Sequence, residues 1–143
     1  MTFAHAEIYE LAQQLFKPVE WPCIMKSLEN CLPLHTRAYY VNGSLAAFLI
    51  VNEEADGSAF ISYCGVNPEH QGKGFGSKLL KETLAGIFQA DFKACRLYVD
   101  EWNDGARRLY ERFGFVRIGT VDTAGGPCGL FELLSPATGG GEN

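Results

Sequence analysis

The chain has 143 residues, the size of one domain, and 47% of them are hydrophobic, enough for a single packed core. Charged residues make up 20% and the formal net charge is -5. An acidic chain without a basic stripe is unsuited to nonspecific nucleic-acid binding, which depends on neutralising phosphates.

The five cysteines, Cys23, Cys31, Cys64, Cys95 and Cys128, are odd in number and form no C-x-x-C. Neither a disulfide framework nor a zinc site is expected; they read as free thiols of a reducing cytosol. His5, His35 and His70 have no ligand spacing, so no metal is expected. The first residues carry no basic leader pattern, and no apolar run approaches the ~20 residues that span a bilayer. The expectation is a soluble cytoplasmic protein with neither membrane nor nucleic acid as partner.

Ile8, Leu11, Ala12, Leu15 and Phe16 recur at spacings of three and four, which predicts an amphipathic helix over 4–16. Pro18 ends it. Pro22 opens a second helix with Ile24, Met25, Leu28 and Cys31 facing inward, and Pro33 closes it. A strand over 36–41 follows. Asn42-Gly43 predicts a two-residue hairpin turn, with a return strand over 45–51. That strand is apolar at nearly every position, so both faces should be covered. A turn at Glu54-Ala55-Asp56-Gly57 leads to a third antiparallel strand over 59–66.

A helix over 75–89 and a strand over 94–100 then make a strand–helix–strand crossover, which implies one parallel pair. Asn103 caps the next helix, with Leu109, Tyr110 and Phe113 on one face and Arg107 paired to Glu111 on the other. Gly114 ends it as a left-handed residue. Strands over 115–123 and 128–134 are joined by a turn at 124–127. Residues 1–134 are expected to form one domain, and 135–143, with three consecutive glycines, a flexible tail.

Between the third strand and its helix lies Val66-Asn67-Pro68-Glu69-His70-Gln71-Gly72-Lys73-Gly74-Phe75-Gly76-Ser77-Lys78. A helix N-terminus offers unpaired N–H groups and partial positive charge, a ready phosphate site. Gly72, Gly74 and Gly76 are expected to take positive φ and let a ligand approach the backbone. The loop is no Walker A sequence, because no Ser or Thr follows Gly72-Lys73. Nor is it a dinucleotide fingerprint, which needs G-x-G-x-x-G, although Asp100 stands at a strand end at about the right distance.

Gln71-Gly72-Lys73-Gly74-Phe75-Gly76 fits Q-x-x-G-x-G and resembles the GCN5-related N-acetyltransferase (GNAT) family. Asn103 to Phe115 looks like that family's N-x-x-A-x-x-L-Y-x-x-x-G-F segment. The resemblance spans roughly 36–134. It implies a mixed α/β (α+β) fold: a mostly antiparallel sheet with a central parallel pair, flanked by helices. It also implies acetyl-CoA as donor, a primary amine of a small molecule or protein as acceptor, and direct attack.

By similarity, Gln71, Gly72, Lys73, Gly74, Phe75, Gly76 and Ser77 would hold the pyrophosphate. Backbone groups near Cys64 and Val66 would bind the pantetheine arm where two strands splay apart. Asn103 would contact the pantetheine or the loop. Tyr110 would lie beside the thioester sulfur and serve as general acid. Cys64, with no histidine nearby in sequence, reads as a buried thiol and not as a nucleophile.

Two features depart from the family. Its usual first strand precedes the first helix, whereas here the chain begins with the helix unless 1–3 supply a stub. Many members carry a carboxylate base on the strand before the loop; here that strand offers Ser62 and Tyr63, and Glu53, Glu54, Asp56 and His35 are remote. The base therefore stays open, as do the acceptor and a homodimer. An open acidic groove would suggest a protein lysine, a closed aromatic pocket near Trp21, Tyr39 and Tyr40 a small amine. A catalytically silent acetyl-CoA-binding module that regulates a partner protein is the alternative function.

Overall fold

A computed structural model describes residues 3–136. Helices α1 (Phe3–Leu15) and α2 (Trp21–Glu29) are linked by a 3₁₀ turn at Pro18–Glu20. Strands β1 (Arg37–Val41), β2 (Ser44–Glu53) and β3 (Ala59–Val66) follow. Then come α3 (Phe75–Gln89), β4 (Ala94–Asp100), α4 (Asp104–Arg112), β5 (Val116–Thr123) and β6 (Gly126–Leu134). The six strands form one sheet in the order β1-β2-β3-β4-β6-β5. Every neighbouring pair is antiparallel except β3 and β4, which is the mixed sheet with one parallel pair that the crossover implied.

The local signals behave as their chemistry requires. Asn42 and Gly43 both take positive φ, 51° and 80°, and turn β1 into β2. The Asn103 side chain accepts from the Ala106 amide at 3.1 Å and starts α4. Gly114, at φ 100°, ends it. Arg107 reaches both Glu111 and Asp104, at 3.4 and 3.2 Å. Several boundaries differ from expectation by a residue or two, and two of the differences bear on the fold. The β5–β6 turn is confined to Ala124 and Gly125, because Pro127 is already in β6 opposite Asp122; a proline is tolerated where a strand begins. Phe3 opens α1, so it forms no strand stub, and residues 1 and 2 lie outside the described part, as do 137–143 of the expected tail. The Ser135 amide still donates to the Lys93 carbonyl at 2.9 Å.

β2 is the spine of the core. Leu45 to Val51 are all buried. Phe48 and Ile50 face one cluster with Ile8, Ala12, Ile24 and Leu28 of the first two helices. Leu49 and Val51 face the other, with Leu80, Leu84 and Ile87 of α3 and Leu97 of β4. Period-two alternation puts successive residues on opposite faces, so a strand covered on both sides must be apolar throughout. Each such aliphatic or aromatic side chain stabilises the fold by about 1.5–3 kcal/mol.

The parallel pair is short. β3 meets β4 only at Ala59–Cys95, Phe60–Arg96 and Ile61–Leu97, although β3 continues to Val66 and β4 to Asp100. The β2–β3 register skips at the same place: Ile50 pairs with Tyr63 and Val51 with Ile61, leaving Ser62 as an extra residue. Such a bulge bends its strand and increases the local twist. β3 therefore turns away from β4 just past their last paired residues.

Gly65 lies beyond the bulge with no room for a side chain. A Cβ there would sit 2.6 Å from Leu15 Cδ1 and 2.8 Å from Phe48 Cε2. Gly65→Ala is expected to cost about 1–3 kcal/mol, the usual range for overpacking, read from urea unfolding.

Candidate active site

Where β3 and β4 part, a cleft of about 350 Å³ opens. Cys64 of β3, Asp100 of β4, and Asn103 and Tyr110 at α4 line it. Glu20 reaches it from the turn between α1 and α2, and Gly125 from the turn between β5 and β6. The sheet leaves the facing backbone edges of β3 and β4 unpaired along this cleft.

Tyr110 is half-buried, packed against the α3–α4 side of the core and edge-on to Phe115, with ring centroids 5.7 Å apart. Burial pushes its phenol well above the ordinary range, and the nearby Cys64 and Cys95 thiols add to the rise. The hydroxyl is therefore protonated at neutral pH, a donor and not a base. Burial pushes Cys64 up to about 11, so it stays a thiol and is no acyl-enzyme nucleophile. The Ser62 hydroxyl donates to Asn52 Oδ1 and is committed there.

The glycine loop follows the end of β3. The Asn67 side chain accepts from the Glu69 amide at 3.1 Å and donates to the Leu45 carbonyl at 3.2 Å. Gln71 Nε2 donates to the Val66 carbonyl at 3.2 Å, folding the loop back on the strand. Gly72 and Gly74 take φ of 81° and 83°, and a Cβ on either would meet nothing within 4 Å. The space outside them is open; the glycines are required by conformation. Gly76 lies in the first turn of α3, as the helix over 75–89 required, and of the three loop glycines it is the one that does not take the expected positive φ. Phe75 is held between Tyr39 and His70. The first intrahelical bond runs from the Lys78 amide to the Gly74 carbonyl at 3.1 Å. The amides of Phe75, Gly76 and Ser77 precede it, at the positive end of a 15-residue helix. Lys73 is exposed beside them, while Lys78 Nζ lies 3.2 Å from the Tyr39 hydroxyl.

The expected site residues thus fall in two groups. Cys64, Asn103 and Tyr110 line the cleft; Gln71 to Ser77 form the loop and helix start, with Val66 between the groups at the end of β3. Trp21, Tyr39 and Tyr40 make no aromatic pocket at the cleft. Trp21 Nε1 donates to the Phe16 carbonyl at 2.9 Å, and the Tyr40 hydroxyl to Glu7 at 2.6 Å. Glu54 and Asp56 are bound to Arg96 at the paired end of the sheet, and His35 packs on Phe92.

Sequence reasoning missed Glu20 and saw Asp100 only as a strand-end acid. Glu20 lies in a proline-bounded break between helices, where no local pattern marks it as functional. In space its carboxylate faces Gly125, where a Cβ would stand 3.1 Å from Cδ and 3.2 and 3.3 Å from the two oxygens. Burial raises its pKa and the Asp100 charge raises it further, with Lys17 opposing. Asp100 in turn accepts from Cys128 Sγ at 3.4 Å.

The sequence matches the family model described as Acetyltransferase (GNAT) family over residues 5–115. It is 30% identical over 103 residues to the spermine/spermidine N(1)-acetyltransferase of Bacillus subtilis, covering 66% of this chain and 67% of that protein. It is 45% identical over 71 residues to the mycothiol acetyltransferase of Thermobispora bispora, covering 49% of this chain. The match spans 24% of the length of that longer relative. The fold superimposes on the crystal structure of Ard1 from Thermoplasma volcanium with a TM-score of 0.78 at 22% identity, covering 94% of this chain and 95% of that one.

The cysteines give a direct check on this geometry. Cys23 is exposed at the cleft, whereas burial pushes Cys64 up to about 11 and, first among its causes, Cys95 up to about 12. A thiol reagent at mildly alkaline pH should label Cys23 first in the native protein, Cys64 more slowly because its thiolate is scarce, and Cys95 only on unfolding, as peptide mass mapping would read.

Proposed function

The chain belongs to the acetyltransferase (GNAT) family, and on that premise we propose that it transfers an acetyl group from acetyl-CoA to a primary amine by direct attack. One observation carries this reading: the gap between β3 and β4 joins Tyr110 at one side to a glycine-turned helix start at the end of β3. Pantetheine is a chain of amides. Unpaired backbone along Cys64 to Val66 suits it as an added strand would, with Asn103 at the cleft wall. The pyrophosphate suits the amides between Gln71 and Ser77, with Lys73 adding charge.

The acetyl carbonyl would then stand in the cleft near Tyr110. The neutral amine attacks its carbon, a C–N bond forms, and the oxyanion is met by a backbone N–H of the Cys64–Val66 stretch. The electron pair returns, the C–S bond breaks, and the leaving sulfur takes the phenol proton of Tyr110. The proton lost by the nitrogen restores the phenol. The raised pKa of Tyr110 suits a donor that must stay protonated until the sulfur leaves. Residues 1–134 would act as one such domain, and the acidic composition with unpaired thiols supports work in the cytoplasm.

Tyr110→Phe is expected to lower kcat about 10²-fold while calorimetric affinity for acetyl-CoA is nearly unchanged; undiminished turnover would remove the general-acid role. Gly74→Glu should abolish acetyl-CoA binding, because φ of 83° is strained for any side chain and the new charge opposes the phosphates.

A further inference from the structure

We propose that Glu20 takes the proton of the acceptor's ammonium group, that Asp100 is its positioning residue, and that the acceptor is therefore a cationic primary amine. This rests on the acetyl-transfer reading and names the base and the substrate charge for that same cleft.

The amine must lose a proton before it attacks, and β3 carries no acid to take it: between Ala59 and Val66 its polar side chains are Ser62, Tyr63 and Cys64. The carboxylates that line the cleft come from elsewhere, Glu20 from the 3₁₀ turn and Asp100 from the end of β4. The groups facing Glu20 are few. Lys17 lies on its own turn, and Asp100 and Cys128 face it from β4 and β6. Tyr63 faces it from β3, with Cys23 of α2 beside Tyr63. Burial and Asp100 together bias Glu20 toward holding a proton, the direction a base working near neutrality needs. Cys128 donates to Asp100 and leaves Glu20 as the acid not bound to a thiol. Gly125 completes the arrangement, since a side chain there would run into the Glu20 carboxylate.

Two carboxylates against one lysine make the cleft attractive to an ammonium and repellent to an amine that bears its own carboxylate. The step balances. The ammonium gives one proton to a Glu20 oxygen, and the freed lone pair forms the C–N bond. When the C–S bond breaks, the sulfur takes the Tyr110 proton and the nitrogen's second proton returns to Tyr110. The Glu20 proton passes to solvent, so each turnover releases one amide, one CoA thiol and one proton.

The test is kcat/KM against pH for release of CoA thiol from acetyl-CoA, with spermidine and a peptide bearing a free N-terminal amine as acceptors. Wild type should show an acidic limb. Glu20→Gln should lower kcat/KM about 10²-fold or more and remove that limb, with thermal midpoint and calorimetric acetyl-CoA affinity unchanged. Asp100→Asn removes the charge that raises Glu20, so its limb should move to lower pH. Gly125→Ala, whose Cβ would crowd the Glu20 carboxylate, should lower kcat/KM and spare acetyl-CoA affinity. If wild type turns over and Glu20→Gln keeps both rate and limb, the assignment of Glu20 is overturned while acetyl transfer stands. An unmoved limb in Asp100→Asn overturns its positioning role. If wild type binds acetyl-CoA and acetylates neither acceptor, the acetyl-transfer reading fails and this one with it.

Discussion

A strand that carries one residue too many has to bend, and β3 carries it at Ser62. The bulge is anchored on its far side: the Ser62 hydroxyl donates to Asn52, whose amide donates to the Ser27 carbonyl of α2 at 3.0 Å. The other end of the parallel pair is held shut. Arg96 of β4 reaches Glu54 at 3.1 Å and Asp56 at 2.8 Å beside the β2–β3 turn, and Glu132 of β6 at 2.9 Å. The pair is thus clamped at one end and open at the other. The cleft and the unpaired edges both follow from that asymmetry.

Charge is sorted around the opening in a way that net charge conceals. The chain is acidic, at -5, yet the end of β3 leads to a helix N-terminus with free amides and Lys73. The cleft itself is lined by Glu20 and Asp100. Tyr110 lines the same cleft, kept neutral by burial. On the proposed reading, the helix N-terminus and Lys73 favour an anionic donor, while the two carboxylates of the cleft favour a cationic acceptor.

Residues whose role is set by neighbours in sequence were legible. Asn42-Gly43, Asn103 and Gly114 each dictate their own turn or cap, and β3, α3 and β4 fall where periodicity put their ends. The glycine turn and helix start from Gln71 to Ser77 were legible for the same reason, except that Gly76 does not take the positive φ expected of it. What could not be read were contacts made by distant segments. Glu20 gains its meaning from Asp100, eighty positions on, and from the absent side chain of Gly125. Neither Trp21 nor Tyr39 carries any mark in sequence of the partner that draws it away from the cleft. The bulge at Ser62 lies in that class too, since it exists only as a mismatch between two strands.

The central claim is that the acetyl donor lies in the gap between β3 and β4 as an added strand. Amide hydrogen exchange by NMR, with and without acetyl-CoA, tests it most directly. The account predicts slowed exchange at the amides of the 62–66 stretch that face β4, and at those of 74–77, with little change along β1 and β5. Binding that leaves the 62–66 and 74–77 amides as fast as in the free protein would contradict it.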